Sequence, residues 1–493
     1  MNHSQFHTTK GRIVTSATET HLATPRSTRR WLALGILALA QFLIVLDASI
    51  VNIALPVLGE QLHMNTAALA WVITAYVLAF GGLLLLGGRL ADRYGHRRLF
   101  LIGATGFVAA SALAGLSVTS EMLLAARALQ GISAALVAPA ALALLTQLFP
   151  DPTERTKALG VWGGVAGIGS AAGVLLGGVL TATLGWQSVF FVNVPVGAIV
   201  LIAIPLLVTR DGARTPARLD AAGAVTVTAA LVALVGALSA VEQVGFVHPL
   251  PAILLVITIA FGAAFIVIER RTPEPLMPLT VFRNRNLALG NIVMLLVGAA
   301  MVALFFALSV YMQAVLGYDP LATGLLQLPL AGALVIVAGV VPSVIARVGT
   351  RPALAVSLVV LAGGLVWLAF APSDAVFLTH LLGPTLLIGI GLGGAFVATT
   401  QLGVDGVAGG ESGLAGGLIN TSQQLGGAIG LAVLGTIAGL RTAALEADGV
   451  STADAATGGF AWLFLAAAVL AAAGAVIVAA WPREGRLGRP TRE

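Results

Sequence analysis

The chain has 493 residues, 58% of them apolar and only 10% charged, with a mean hydropathy of +0.99. A soluble domain carries about 25% charged residues, so this composition excludes a water-soluble enzyme and points to an integral membrane protein. The formal charge of +5 and pI near 10.2 resemble those of a nucleic-acid binder, but the distribution of the charge argues otherwise.

Residues 1–30 are polar, basic and Thr/Ser-rich, and read as a disordered cytoplasmic tail. Apolar runs then follow at 31–55, 67–88, 99–118, 122–147, 158–182, 189–208, 220–241, 250–268, 288–312, 321–345, 352–371, 377–401, 412–438 and 460–481. Each is about the length that spans a hydrocarbon core as a helix. The runs are continuous rather than alternating, which favours helices over barrel strands. The first is too long for a signal-peptide core and no small-residue cleavage site follows it, so it reads as uncleaved. The predicted fold class is an all-α integral membrane protein with fourteen transmembrane helices. The stretch between the second and third runs, GGRLADRYGHRR at 87–98, reads as a short charged turn.

With the N-terminus inside, 24 of the 26 Lys and Arg residues fall in inner segments. The exceptions are Arg127, inside a span, and Arg441, in an expected outer loop. This bias sets the orientation, with both termini cytoplasmic. The chain also repeats. DRYGHR at 92–97 matches ARVGTR at 346–351, and Gly173 and Gly177 match Gly426 and Gly430. Two pseudo-symmetric six-helix bundles are therefore predicted at 31–208 and 288–481. Residues 209–287 form an inserted helix pair with its linkers, and 482–493 a second cytoplasmic tail. Parallel repeats of this kind are one architecture of secondary transporters.

Asp47 lies in LDASIVNIALP within the first span, where a carboxylate must be protonated, paired or open to water. Arg127, in RALQG on the fourth span, would be very costly to bury without an acid, which makes Asp47 one candidate partner. On the fifth span, Gly160, Gly169, Gly173, Gly177 and Gly178 form a ladder of small residues suited to close helix packing.

GRLADRYGHRR, Gly88 to Arg98, resembles the loop 2–3 signature of the major facilitator superfamily, with His96 at a usually basic position. LDASIVNIALP, the RALQG stretch and the glycine ladder resemble signatures of its fourteen-span drug:proton antiporters. GWQSVFFVNVPVG at 185–197 and SGLAGGLINTSQQLGGAIG at 412–430 do so as well. Val174 replaces the proline of the ladder motif. The resemblance implies that Asp47 and Arg127 couple protons. It also implies that Gly88, Asp92, Arg93, Gly95 and Arg97 form a cytoplasmic gate, latched against the thirteenth span, and that the ladder marks antiport.

The resemblance further implies a secondary active transporter rather than an enzyme, a monomer in the cytoplasmic membrane in contact with lipids. It would exchange protons for a small lipophilic, in some cases cationic, substrate. Asn52, Tyr76, Asn291, Gln327, Asn420, Gln423 and Gln424 are the candidate lining of its cavity, with helix–helix hydrogen bonds as their other role. Neither Lys10 nor Lys157 follows a glycine, so there is no Walker A loop, and no acid or histidine cluster has metal-ligand spacing; no cofactor is expected. The leading expectation is a proton-driven multidrug exporter. A dedicated exporter of one natural product or lipid would carry the same motifs, and a transport-dead sensor or scaffold is the reading from another class.

Overall fold

The computed structural model describes residues 26–209, 220–245, 247–273, 275–276, 283–405 and 412–481. Of the expected tails at 1–30 and 482–493, residues 1–25 and 482–493 lie outside them, whereas 26–30 are not a tail but the first turn of a helix. Among the described residues the structure is helical throughout, without a strand.

The first half holds α1 (Arg26–Gln61), α2 (Thr66–Tyr94), α3 (His96–Gly115), α4 (Ser120–Leu148) and α5 (Pro152–Leu184). The short α6 (Ser188–Phe191) and α7 (Asn193–Leu207) together make its sixth span. Then come α8 (Ala221–Val244) and α9 (Pro249–Arg271). The second half is α10 (Arg285–Val310), α11 (Pro320–Val348), α12 (Thr350–Leu368), α13 (Leu382–Val404), α14 (Ser412–Ala447) and α15 (Thr452–Ala480). Single π-helical turns, Tyr311–Val315 and Phe377–Leu381, extend α10 and precede α13. Thirteen of these stretches are long and apolar enough to cross a bilayer, and the described residues of α5 add the shorter apolar stretch Ala171–Leu184.

Polar side chains at the helix starts satisfy amides that the helix itself leaves unpaired. Asn65 caps α2 through the Ala68 amide, Thr119 caps α4, and Asp319, followed by Pro320, caps α11. Pro56, Pro139, Pro329 and Pro342 sit inside α1, α4 and α11, where neighbouring helices stabilise the interrupted backbone.

The repeat is visible in the packing. In the first half α1 lies on α5 and α7, α2 on α4, and α3 on α4 and α7. In the second, α10 lies on α14 and α15, α11 on α13, and α12 on α13 and α15, which is the same set of pairs. The halves meet through α2 with α14 and α5 with α11, two contacts that the repeat exchanges. The inserted α8 covers α2 and α14, and α9 lies chiefly against α8.

Two further expectations change in the structure. The charged turn expected at 87–98 shrinks to one residue: α2 continues to Tyr94 and α3 starts at His96, so Gly95 alone makes the turn. Its φ of 99° and ψ of 133° are open to glycine and strained for other residues. Gly349 makes the corresponding turn between α11 and α12 at φ 90°. Arg441 lies not in a loop but on α14, which runs nine residues past its apolar stretch, and its guanidinium stands 5.7 Å from the Trp462 ring.

Candidate functional site

Asp47 is the only charged residue of α1 between Arg30 and Glu60. Its side chain is 0% exposed. An isolated buried carboxylate is prohibitively costly, and donors from two other elements meet it. Arg127 Nη1 on α4 stands 2.5 Å from Asp47 Oδ2. Gln130 Nε2, three residues along the same face of α4, donates to Asp47 Oδ1 at 3.0 Å. Asn193 Nδ2, at the start of α7, donates to that same oxygen at 2.7 Å.

The cation is held from other sides too. Arg127 Nε donates to the Val72 carbonyl of α2 at 3.0 Å, and Nη1 donates to Gln130 Oε1 at 2.9 Å. The guanidinium lies 4.4 Å from the Tyr76 ring centroid and 5.9 Å from that of Phe190, a cation–π sandwich. Gln130 Nε2 also donates to Ser111 Oγ on α3 at 2.8 Å. Asp47, Tyr76, Ser111, Arg127, Gln130 and Asn193 are all buried. Asn193 opens α7 just after Val192, where the helix is interrupted, and Pro195 leaves the Phe191 carbonyl without its helical amide.

The candidate pairing of Asp47 with Arg127 is thus present as a direct contact. Gln130, Ser111 and Asn193 were missed. Gln130 and Asn193 lie inside the RALQG and FVNVPVG stretches that carry the resemblance, a signal that was present but unused; Ser111 lies in no motif.

The glycine ladder sets the approach of α1. A Cβ at Gly173 would stand 2.6 Å from Ser49 Cβ, and one at Gly177 2.8 Å from the Ile50 carbonyl; Gly169 faces Phe42 and Val45 at 3.3 Å. Gly178 faces the other half, where a Cβ would come 2.7 Å from the Pro320 carbonyl. Gly160 is on α5, with its surroundings outside the described residues.

Around the one-residue turn, Asp92 pairs with His96 Nε2 at 3.1 Å, and Gln147 Nε2 lies 2.9 Å from His96 Nδ1. Arg97 donates to the Pro205 carbonyl, and Arg93 stacks on Tyr94. Gly88 has an open surround, with Pro139 Cβ 3.7 Å from a built Cβ. α2 packs on α14, but the side chains of Ser412, Gly413 and Leu414, the expected facing end, lie outside the described residues.

The candidate cavity residues do not form one group. Tyr76 belongs to the ion-pair site. Asn52 caps back onto the Ala48 carbonyl of α1. Asn291 accepts from Ser422 of α14 at 2.7 Å, and Gln327 donates to Ser309 inside the second half. Asn420, Gln423 and Gln424 are half-buried on α14, with Gln424 against Gly81 of α2 and the Gln423 backbone against Gly298 of α10. An open groove of about 440 Å³ runs instead along α13, lined by Phe396, Val397, Thr400, Gln401 and Asp405.

A multi-pass helical protein of two repeated halves, with a charged pair sealed inside one of them, has the architecture of a membrane transporter. The family model described as Major Facilitator Superfamily matches residues 37–431, and the chain belongs to that family. It is 42% identical over 436 residues to the puromycin resistance protein Pur8 of Streptomyces alboniger, covering 87% of this chain and 86% of that one. It is 40% identical over 442 residues to the cephamycin export protein CmcT of Amycolatopsis lactamdurans, covering 89% and 91% respectively. The fold matches a solved structure of an auto-inhibited POT family peptide transporter with a TM-score of 0.68 at 15% identity, covering 94% of this chain and 99% of that one.

Proposed function

We propose that the protein is a proton-coupled antiporter that exports lipophilic drugs or antibiotics across the cytoplasmic membrane by alternating access. The observation that carries this reading is the fully buried contact between Asp47 and Arg127. A buried ion pair is weak evidence for stability, whereas an intramembrane acid with a built set of partners is the expected form of a proton carrier.

In this mechanism Asp47 binds a proton from outside while substrate is absent. Protonation removes the negative charge that Arg127 faces. Arg127 keeps the Val72 carbonyl, Gln130 Oε1 and the Tyr76 face, so the cation remains held while α1 is released from it. α1 rides on Gly169, Gly173 and Gly177 of α5, and α5 touches α11 through Gly178, which offers a route from the acid to the contact between the two bundles. Loss of the proton inward allows substrate to bind and resets the pair. Proton entry supplies roughly 2.3 kcal/mol per 100 mV of potential, plus the pH gradient.

The same reading makes residues 31–208 and 288–481 the rocking units, 209–287 an insert, and Gly88, Asp92, Arg93, Gly95 and Arg97 the cytoplasmic gate. The transporter works as a monomer among the lipids, with both termini cytoplasmic. Relatives named for single compounds, puromycin and cephamycin, favour a narrow natural-product exporter as the second reading. Proteoliposomes carrying a pH dye test the proposal with puromycin and a panel of lipophilic cations. Proton movement on adding a compound, lost in Asp47→Asn, supports antiport. Export without proton movement overturns it, and the breadth of active compounds decides between the two readings.

A further inference from the structure

Asn193 presents a donor to Asp47 and keeps an acceptor in reserve. Its Nδ2 donates to Asp47 Oδ1 at 2.7 Å and lies 3.4 Å from Ser111 Oγ. Its Oδ1 is buried and has no hydrogen-bond partner. A carboxamide's two ends are fixed here by chemistry, because an amide oxygen turned toward a charged carboxylate would be repelled.

Protonation of Asp47 changes what its surroundings must supply. The charged carboxylate only accepts, and it takes Arg127, Gln130 and Asn193 as donors. The neutral acid has an O–H that needs an acceptor inside a dry core. Arg127 has none to give. Gln130 Oε1 already accepts from Arg127, and Gln130 Nε2 is shared between Asp47 and Ser111. Ser111 Oγ already accepts from Gln130. Among the side chains that donate to the Asp47 carboxylate, only Asn193 holds an unused buried acceptor.

The charged and titratable groups facing Asp47 are Arg127 from α4 and Tyr76 from α2. α3 and α7 bring the neutral Ser111 and Asn193, α6 sets Phe190 against Arg127, and α5 packs on neighbouring residues of α1 through Gly169 and Gly173.

We propose that Asn193 is a positioning residue of proton coupling, an amide that donates to ionised Asp47 and rotates about its Cβ–Cγ bond to accept from protonated Asp47. The proton comes from water and converts the carboxylate to the acid; Asn193 changes orientation and neither gains nor loses a proton. The inference rests on the antiport reading above and extends it to a residue on α7.

The role predicts a split between two transport modes. Substrate exchange runs with Asp47 ionised, where Asn193 is one of three donors, so it does not need the reserve acceptor. Proton-driven uphill export passes through the protonated state and does. In proteoliposomes with puromycin and ethidium as probes, Asn193→Leu should slow counterflow exchange, because it removes one of three donors to ionised Asp47. Uphill export should fall by about tenfold more than exchange does, the scale of one unsatisfied buried donor. Asn193→Gln, which keeps the amide, should restore much of the loss. Equal loss of both modes, or no loss of either, overturns the proposal.

A transport-independent measurement separates this from failure of the exporter reading. Infrared difference spectra on acidification should show an Asp47 carboxyl band, absent in Asp47→Asn. They should also show a simultaneous change in a side-chain amide carbonyl band, absent in Asn193→Leu. The carboxyl band without the amide change, or no carboxyl band at all, rejects the amide switch. If neither probe is transported but both bands respond, the substrate reading fails and the role of Asn193 stands.

Discussion

Arg127 Nη1 and Asp47 Oδ2 are 2.5 Å apart across the α1–α4 contact, and neither side chain is more than 1% exposed. Removing one member of such a pair leaves the other charge buried alone. Arg127→Leu should therefore destabilise the protein by about 3–5 kcal/mol. The double variant Asp47→Asn, Arg127→Leu removes both charges and should recover much of that loss, while remaining inactive in proton-driven export. Thermal unfolding in detergent, followed by tryptophan fluorescence, compares the two. A double variant less stable than Arg127→Leu would show that the pair does not act as a unit.

The glycines of the 88–98 stretch should differ in tolerance. Gly95 carries the whole turn at φ 99°, a conformation that costs a side-chain-bearing residue about 1–3 kcal/mol. Gly88 has room for a methyl group. Gly95→Ala should lower the unfolding temperature and the yield of folded protein, and Gly88→Ala should leave both near wild type. Gly349→Ala, at the equivalent turn of the second half, should behave like Gly95→Ala. Equal behaviour of Gly88→Ala and Gly95→Ala would mean that backbone strain is not what the turn requires.

Much of the architecture was legible in the chain because lipid leaves little freedom. Long apolar runs must be helices. The repeat of Gly95 in Gly349 could be read directly from DRYGHR and ARVGTR. The composition of the ion-pair site was only partly legible. Asp47 and Arg127 announce themselves by charge, but Ser111 and Asn193 are small neutral residues whose importance depends on the rotational register of α3 and on the break at Val192. Helix ends were also hard to place. The charged residues at 89–94 read as part of a turn over 87–98, yet they continue α2, because their polar ends sit at the helix terminus where water or partners are available.

The ladder on α5 predicts a graded series. Gly173 and Gly177 meet α1 below 3 Å from a built Cβ, and Gly178 meets α11 equally closely, whereas Gly169 has contacts at 3.3 Å or beyond. Overpacking of this kind costs about 1–3 kcal/mol. Gly173→Ala and Gly178→Ala should each reduce thermal stability and export more than Gly169→Ala does. Because Gly173 faces Ser49 within its own half and Gly178 faces the opposite half, their effects should add within about 0.5 kcal/mol unless the contacts are coupled. Strong non-additivity would connect the packing around Asp47 to the joint between the bundles.

Gln313 supplies a latch between the halves. From the π-helical turn after α10 its Nε2 donates to the Ile53 carbonyl of α1 at 3.0 Å. Pro56 lies three residues beyond Ile53 and removes the donor that the Asn52 carbonyl would otherwise meet, so α1 lacks one backbone hydrogen bond next to this contact while the helix continues to Gln61. Gln313→Leu keeps the volume and deletes the donor. A net hydrogen bond of this kind is worth about 0.5–1.5 kcal/mol, a two- to tenfold shift in the opening equilibrium. The absence of cysteine from the whole chain makes this directly measurable. A single cysteine at Asn52 should react with an impermeant maleimide, added outside right-side-out vesicles, two- to tenfold faster in the Gln313→Leu background. An unchanged rate would show that the contact does not hold this end of the bundle pair closed; a slower rate would mean that Gln313 favours the open form.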